Sequence, residues 1–246
     1  MRRGMDAVNP EERLAGDGWF GALRAVLLPG RCQLCLGKLP PGHEICPACW
    51  RDLPWTGSQC RYCALPLASD GVCGRCQRHP PAYDAVRAPF LYRTPVDALL
   101  RAFKFQGRLV HVRVLARIMS DHVQASGSRL PDLLVPVPLH PSRLRERGFN
   151  QAVELARLIG RALAIPLDTQ TCQRIRLTSA QSGLTATERR RNLRNAFYVR
   201  PTDLPRSLAI VDDVMTTGAT VASMAQALRR QGVERIEVWV CARTPD

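Results

Sequence analysis

The amino-acid sequence predicts an α/β fold: a mostly parallel sheet with helices on both faces, preceded by a small metal-held module. Three observations point there. Apolar, strand-like runs alternate with helix-period segments from residue 85 to the end, an alternation that favours a parallel sheet covered on both sides. Eight of the ten cysteines lie within residues 32–76 as four CxxC pairs. With 246 residues and 46% hydrophobic side chains, the chain can bury a mid-sized core and still carry a second, smaller module.

The N-terminal segment, 1–30, contains "WFGALRAVLL" (19–28), the nearest approach to a signal-peptide core. It carries Arg24, begins late, and is not followed by a small-x-small cleavage pattern. It reads instead as a short amphipathic helix. The sequence has no apolar run of the roughly 18 residues that a membrane span needs. We therefore expect no membrane insertion and a cytoplasmic location.

Residues 31–80 read as a double zinc ribbon. The pairs are Cys32/Cys35, Cys46/Cys49, Cys60/Cys63 and Cys73/Cys76. Two thiolates three residues apart on a tight turn fill two corners of a zinc tetrahedron, and two such turns close one structural site. Eight thiolates therefore close two Zn²⁺ sites. Contiguous loops cost less closure entropy than interleaved ones, which favours sequential pairing, the first two pairs on one ion and the last two on another; a cross-brace is the alternative. Cytoplasmic thiols stay reduced, so disulfides are the weaker reading, as is iron–sulfur ligation. Few large apolar residues accompany the cysteines, so metal must supply much of the folding energy. A four-thiolate site has no open coordination position, and a structural or partner-binding role follows. His43 and His79 read as bystanders. Cys172 and Cys241 stand alone and read as buried, apolar-like residues.

Residues 81–246 supply the α/β domain. A Pro-marked linker (78–86) leads into "AVRAPFLY", a strand. "PVDALLRAFKFQG" (95–107) has helical spacing at Val96, Leu99, Leu100 and Phe103 and stops at Gly107. Residues 108–124 continue as a second helix. "DLLVPVPLH" (132–140) reads as a buried strand and "NQAVELARLIGRALA" (150–164) as an amphipathic helix. "SLAIVDD" (207–213), "TVASMAQALRRQG" (220–232) and "RIEVWVCAR" (235–243) complete the pattern as strand, helix and strand.

The stretch "LAIVDDVMTTGAT" (208–220) carries the chemistry. In parallel sheets ligands bind beyond the carboxyl ends of strands, and there Asp212 and Asp213 emerge together. Two adjacent carboxylates at a strand end repel, and burying them costs solvation energy; hydroxyl donors or a cation-bearing ligand would offset that. Thr216, Thr217, Gly218, Ala219 and Thr220 follow. Gly218 permits a tight turn, and the free amides at a helix start, with the threonine hydroxyls, make an anion cradle. Sugar hydroxyls at the acids and a phosphate at the turn describe a sugar phosphate.

Charge agrees with an anionic partner without choosing one. The formal net charge is +14, with 10 basic and 7 acidic side chains before residue 80 and 25 and 14 after it. Such a surface suits phosphates, nucleic acid or an acidic protein. Lys38 and Lys104 are the two lysines among 35 basic residues, so an arginine-biased composition accounts for the excess equally well.

The 208–220 stretch resembles the phosphoribosyl-pyrophosphate (PRPP) motif of type I phosphoribosyltransferases: an apolar run, two acids, then TTGxT. The cysteine head, "LLRAFKFQG" (99–107), "VPVPLHPSRLRERGFNQA" (135–152), "QSGLTATERRRNLRNAF" (181–197) and this motif occur in one order. Together, over roughly residues 20–243, they resemble the ComF family of phosphoribosyltransferase-like proteins, some of them linked to competence for DNA uptake. The resemblance implies a type I phosphoribosyltransferase-like sheet. It also implies that Asp212 and Asp213 bind the ribose hydroxyls, that Thr216–Thr220 hold the 5′-phosphate, and that PRPP arrives with Mg²⁺. By position, the loop offering His140, Arg143, Arg145 and Arg147 resembles a pyrophosphate-binding loop, where arginine forks grip phosphate oxygens. Lys104 in "KFQG" is a candidate phosphate contact. The segment 178–195 resembles the mobile active-site loop of such enzymes, with Arg190, Arg191, Arg194 and Asn195 closing on the diphosphate or meeting single-stranded DNA. Three readings follow: a Mg²⁺-dependent phosphoribosyltransferase of unnamed acceptor, a non-catalytic PRPP sensor, and a competence factor that handles single-stranded DNA or partners competence or helicase proteins.

Overall fold

The computed structural model describes residues 30–39, 43–106, 109–176 and 196–245. The expected N-terminal helix at 19–28 and the 178–195 loop lie outside them. The chain divides into two compact units, one ending at Asp52 and the other running from Leu53. In the first, strands β1 (Gly30–Arg31) and β2 (Lys38–Leu39) pair antiparallel, and a single-turn helix α1 (Pro47–Arg51) follows.

The second unit holds the rest. Helix α2 (Gly74–Arg78) precedes strands β3 (Ala85–Arg87) and β4 (Phe90–Leu91). Then come α3 (Val96–Gln106), α4 (Leu109–Ala125), β5 (Leu133–Pro136), α5 (Pro141–Arg147) and α6 (Gln151–Leu163). Strands β6 (Cys172–Arg174), β7 (Phe197–Val199) and β8 (Ser207–Met215), helix α7 (Ala219–Arg229) and strand β9 (Arg235–Arg243) complete it.

The main sheet runs β3–β9–β8–β5, with β4 also on β9, and every pairing in it is parallel. The strand–helix alternation read from the sequence is thus the observed one. Parallel strands are buried on both faces, so they read as nearly continuous apolar runs; β9 from Ile236 to Arg243 is buried throughout. The pleat divides its two covers. Leu208 and Ile210 of β8 join Met224, Ala225 and Leu228 of α7 in one core cluster. On the opposite side Leu134 of β5 approaches Gly160 of α6, where a Cβ would sit 2.8 Å from the Ile165 carbonyl and 3.5 Å from Leu134 Cδ1. Helix α6 needs glycine there to lie close to the strand.

Local signals explain the elements. Asn150 caps α6 by accepting the Ala152 amide at 3.0 Å, and Leu155, Ile159 and Leu163 recur at helical spacing on its buried stripe. In α3, Val96, Leu99, Leu100 and Phe103 are all buried, as their spacing requires. Glu237, buried in β9, accepts from Trp239 Nε1 at 2.8 Å and Arg235 Nη2 at 2.6 Å. Its charge is paid for by these partners rather than left unpaired.

Two elements were not legible. The segment after Pro138, read as a loop, forms α5: His140 caps it through Nδ1, Pro141 stands at its first turn, and Gly148 closes it in the left-handed region at φ 79°. The β6–β7 hairpin pairs antiparallel, apart from the main sheet; its strands are three residues each, too short for an alternation to be read. Among the described residues no helix is long and apolar enough to cross a membrane.

Candidate functional site

Two all-cysteine clusters form. Cys32, Cys35, Cys46 and Cys49 bring their sulfurs within 4.8 Å of one another, as do Cys60, Cys63, Cys73 and Cys76. This is the sequential pairing. The Cys35–Cys46 and Cys63–Cys73 sulfur separations are 3.8 and 3.7 Å. A tetrahedron with Zn–S near 2.3 Å has edges of about 3.8 Å, so both clusters fit zinc. Each is built the same way. The Leu36 and Ala64 amides return to the Cys32 and Cys60 carbonyls at 2.9 and 2.8 Å. Both residues sit in the left-handed region, at φ 62° and 54°. The Cys46 and Cys73 amides donate to the Cys32 and Cys60 sulfurs at 3.4 and 3.3 Å, and Cys46 and Cys73 stand at the N-cap positions of α1 and α2, where the Cys46 sulfur accepts the Cys49 amide at 3.4 Å.

The surroundings act on these thiols in opposite directions. Burial raises the Cys32 and Cys60 thiols, but the amides around them more than offset it and bring them down to about 6 and about 7. Burial, with the neighbouring sulfurs, pushes Cys63 up to about 11 and Cys76 higher; for Cys49 the Cys46 sulfur leads and burial follows. Crowded thiolates of this kind call for a cation. Cys172 and Cys241 are buried and belong to neither cluster.

The second locus lies at the carboxyl end of the sheet. Strands β5 and β8 are parallel neighbours, and the Val137 amide adds one further bond to the Val211 carbonyl at 2.9 Å. The segment that follows β5 is therefore brought beside the end of β8. Strand β8 runs on past the acids, pairing Asp212 with Val240 and Met215 with Arg243. Asp212 accepts from the Asp213 amide at 2.9 Å and Asp213 from the Val214 amide at 2.8 Å. Burial first, then the Asp213 charge, hold the Asp212 carboxyl well above the usual range, with Lys104 acting in the opposite direction. Lys104, from the last turn of α3, places Nζ 4.0 Å from Asp213 Oδ2.

The turn after β8 has Thr216 exposed, Thr217 half-buried and Gly218 buried at φ 75°. Thr217 Oγ1 accepts from the Ala219 amide at 3.4 Å. Gly218 is the N-cap of α7, so the positive end of the helix starts three residues after the strand that carries the two acids.

The remaining predicted residues divide. His140 is spent on capping, its Nδ1 2.8 Å from Ser142 Oγ. Arg147 reaches along its helix to Gln151 Oε1 at 3.0 Å, and Arg143 to Glu146 at 3.2 Å; Arg145 is exposed. Arg190, Arg191 and Arg194 lie outside the described residues. One residue was missed. Arg174 of β6 lies close enough to both Asp212 and Arg143 to feel their charges: burial lowers its guanidinium, Asp212 raises it and Arg143 lowers it. Its ring neighbour is Phe197, 5.8 Å away. Among so many arginines nothing in the sequence singled it out.

The fold and these two loci define a class: a double zinc ribbon followed by a parallel α/β domain with an acid pair and a glycine turn at the carboxyl end of its sheet. Residues 23–77 match the double zinc ribbon domain family. The chain is 38% identical over 223 residues to the DNA utilization protein YhgH of Salmonella typhimurium, covering 88% of this chain and 98% of that one. It is 36% identical over 222 residues to competence protein F of Haemophilus influenzae, covering 87% and 96%. The chain belongs to the ComF/YhgH family. Among solved structures, a purine phosphoribosyltransferase from Pyrococcus horikoshii is similar at 15% identity over 53% of this chain and 80% of that one, with a TM-score of 0.31, too low to equate individual residues.

Proposed function

We propose that this protein binds PRPP, with Mg²⁺ carried on the diphosphate, and transfers the phosphoribosyl group to an acceptor in the service of DNA uptake or utilisation. The observation that carries the reading is the Asp212–Asp213 pair at the end of β8, followed by a glycine turn at the start of an 11-residue helix. In this reading the acids take the ribose hydroxyls, and the amides of the Thr216–Thr220 turn take the 5′-phosphate. Lys104, Arg143 and Arg174 supply positive charge for the diphosphate, with Arg145, Arg147, Arg190, Arg191 and Arg194 as further candidates. Among the described residues no third acidic, histidine or cysteine side chain joins the pair in a metal-sized cluster. An ion there would be held largely by phosphate oxygens and water, as Mg²⁺ prefers.

Transfer requires an acceptor nucleophile to bond to ribose C1 as the C1–O bond to pyrophosphate breaks, the electron pair leaving with pyrophosphate. Charge builds on the sugar as in glycoside cleavage. The protein contributes orientation and fixed positive charge facing the leaving group. The service to DNA is named for the relatives, as competence and DNA utilization, and is proposed here by kinship.

The test is calorimetry with PRPP and Mg²⁺. Replacing Asp212→Asn and Asp213→Asn together should weaken binding by about 100-fold, two charge-assisted hydrogen bonds' worth; unchanged affinity would remove the site. Pyrophosphate release with some acceptor base or amine supports transfer, and binding without release across a broad acceptor screen leaves PRPP as a sensed ligand. The DNA-handling reading has one observation of its own: Tyr198 on β7 is 46% exposed, an aromatic ring open to stacking. Single-strand binding should then fall steeply with salt and drop about tenfold in Tyr198→Ala.

A further inference from the structure

The glycine turn is held by more than its own strand. At φ 75° Gly218 occupies a conformation that side chains avoid. A Cβ there would come within 2.5 Å of Met215 Cε and 3.3 Å of the Tyr83 hydroxyl. Both neighbours lead to the second cysteine cluster. The Met215 carbonyl accepts the Thr244 amide at 3.0 Å and faces Arg243 Nη1 at 3.4 Å. Arg243 is 2% exposed; its Nη1 also donates to the Thr244 carbonyl, and its Nε donates to the Cys63 carbonyl at 2.8 Å. Tyr83 shares one buried apolar cluster with Met215 and with Ala64, the residue after Cys63.

A buried guanidinium is tolerated only where its donors are met. Here one acceptor belongs to the cysteine knuckle and another to the end of β8. The knuckle's carbonyl stays in place only while the Cys60–Cys63 turn does, and metal binding is what folds such turns. The first cluster lies in the other compact unit, the one that ends at Asp52.

We propose that Arg243 is a positioning residue that ties the metal state of the Cys60/Cys63/Cys73/Cys76 cluster to the Met215–Gly218 turn. Loss of that metal, and not of the metal in the first cluster, then loosens the turn and lowers its affinity for a 5′-phosphate. The ligand rests on the PRPP reading above; the mechanical coupling does not.

The test is hydrogen exchange on the zinc-loaded full chain, read at residues 214–221 and in β5, alongside PRPP calorimetry. Arg243→Gln keeps both zinc ions by elemental analysis, yet should speed exchange at 214–221 and raise the PRPP Kd, each by about tenfold, while β5 exchanges as in the wild type. Cys46→Ser loses one zinc ion and should leave both readings unchanged; Cys73→Ser loses one and should move both. Wild-type exchange at 214–221 in Arg243→Gln overturns the proposal, as does equal loosening by Cys46→Ser. If Cys73→Ser does not fold, Arg243→Gln decides. If the wild type binds no PRPP, the PRPP reading falls and the exchange measurement alone decides the coupling.

Discussion

The two cysteine knuckles have the same backbone and different surroundings. Cys32 and Cys60 are both fully buried, but in the first Cys35 is exposed and Leu36, at the left-handed position, is 63% exposed. In the second, Cys63 is half-buried and Ala64 fully buried, and Ala64 belongs to the same core cluster as Leu208 and Ile210 of the main sheet. The Val86 amide of β3 donates to the Arg61 carbonyl at 2.7 Å, and Arg61 Nε returns to the Asp84 carbonyl at 2.9 Å. The first knuckle belongs to the compact unit that ends at Asp52, whereas the second is part of the unit that contains the sheet. A ligand motif therefore sets its own metal geometry locally, but the same motif is either a self-contained ribbon or a piece of a larger core, depending on what covers it.

The largest test of this contrast removes one metal at a time. Cys60→Ser should lower the stability of the sheet-containing unit by on the order of 4 kcal/mol, the range of a lost metal site, whereas Cys32→Ser should leave its main calorimetric transition in place. Equal shifts would dissolve the distinction. A smaller test exchanges the knuckle residues. Ala64→Leu forces a larger side chain into a filled core and should cost about 1–3 kcal/mol, while Leu36→Ala, on an exposed side chain, should stay within about 0.5 kcal/mol; denaturant midpoints decide both.

The smallest test concerns a burden carried by the second unit alone. The Asp212 carboxyl is held above its unfolded value, chiefly by burial. A raised pKa means that its contribution to stability is fully present below the unfolded carboxyl range, near 4, and is lost as pH rises through the raised folded value. Asp212→Asn should therefore raise the melting temperature of the ligand-free protein, by more at pH 7 than at pH 4, even as it weakens PRPP binding. Parallel pH–stability curves for variant and wild type would show that the acid pair costs the fold nothing.

Much of this protein was legible residue by residue. The paired CxxC spacing announced eight ligands for two clusters, because a knuckle closes over only four residues; loop closure favoured the sequential pairing over a cross-brace, and the structure decided it. The buried positions of α3 followed from the spacing of Val96, Leu99, Leu100 and Phe103. The proximity of Asp212, Asp213 and the glycine turn was equally readable, since all lie within one strand end and one turn. Helix α5 was missed because its prolines and arginines masked a helix whose start and stop depend on a histidine cap and a single glycine. Arg174 was missed because its strand is too short to carry a pattern.

The sequence by itself determined the features of short range: metal knuckles, amphipathic helices, apolar strands, and an acid pair ahead of a glycine turn. Each depends on spacing along a few residues, where side-chain direction is fixed by local geometry. The tertiary structure alone decided that the second ribbon joins the sheet and that Arg243 links the Cys63 carbonyl to Met215 across a separation of 180 residues. Those contacts arise from how the strands stack and where the chain returns, and such closures leave no periodic trace in the residues that make them.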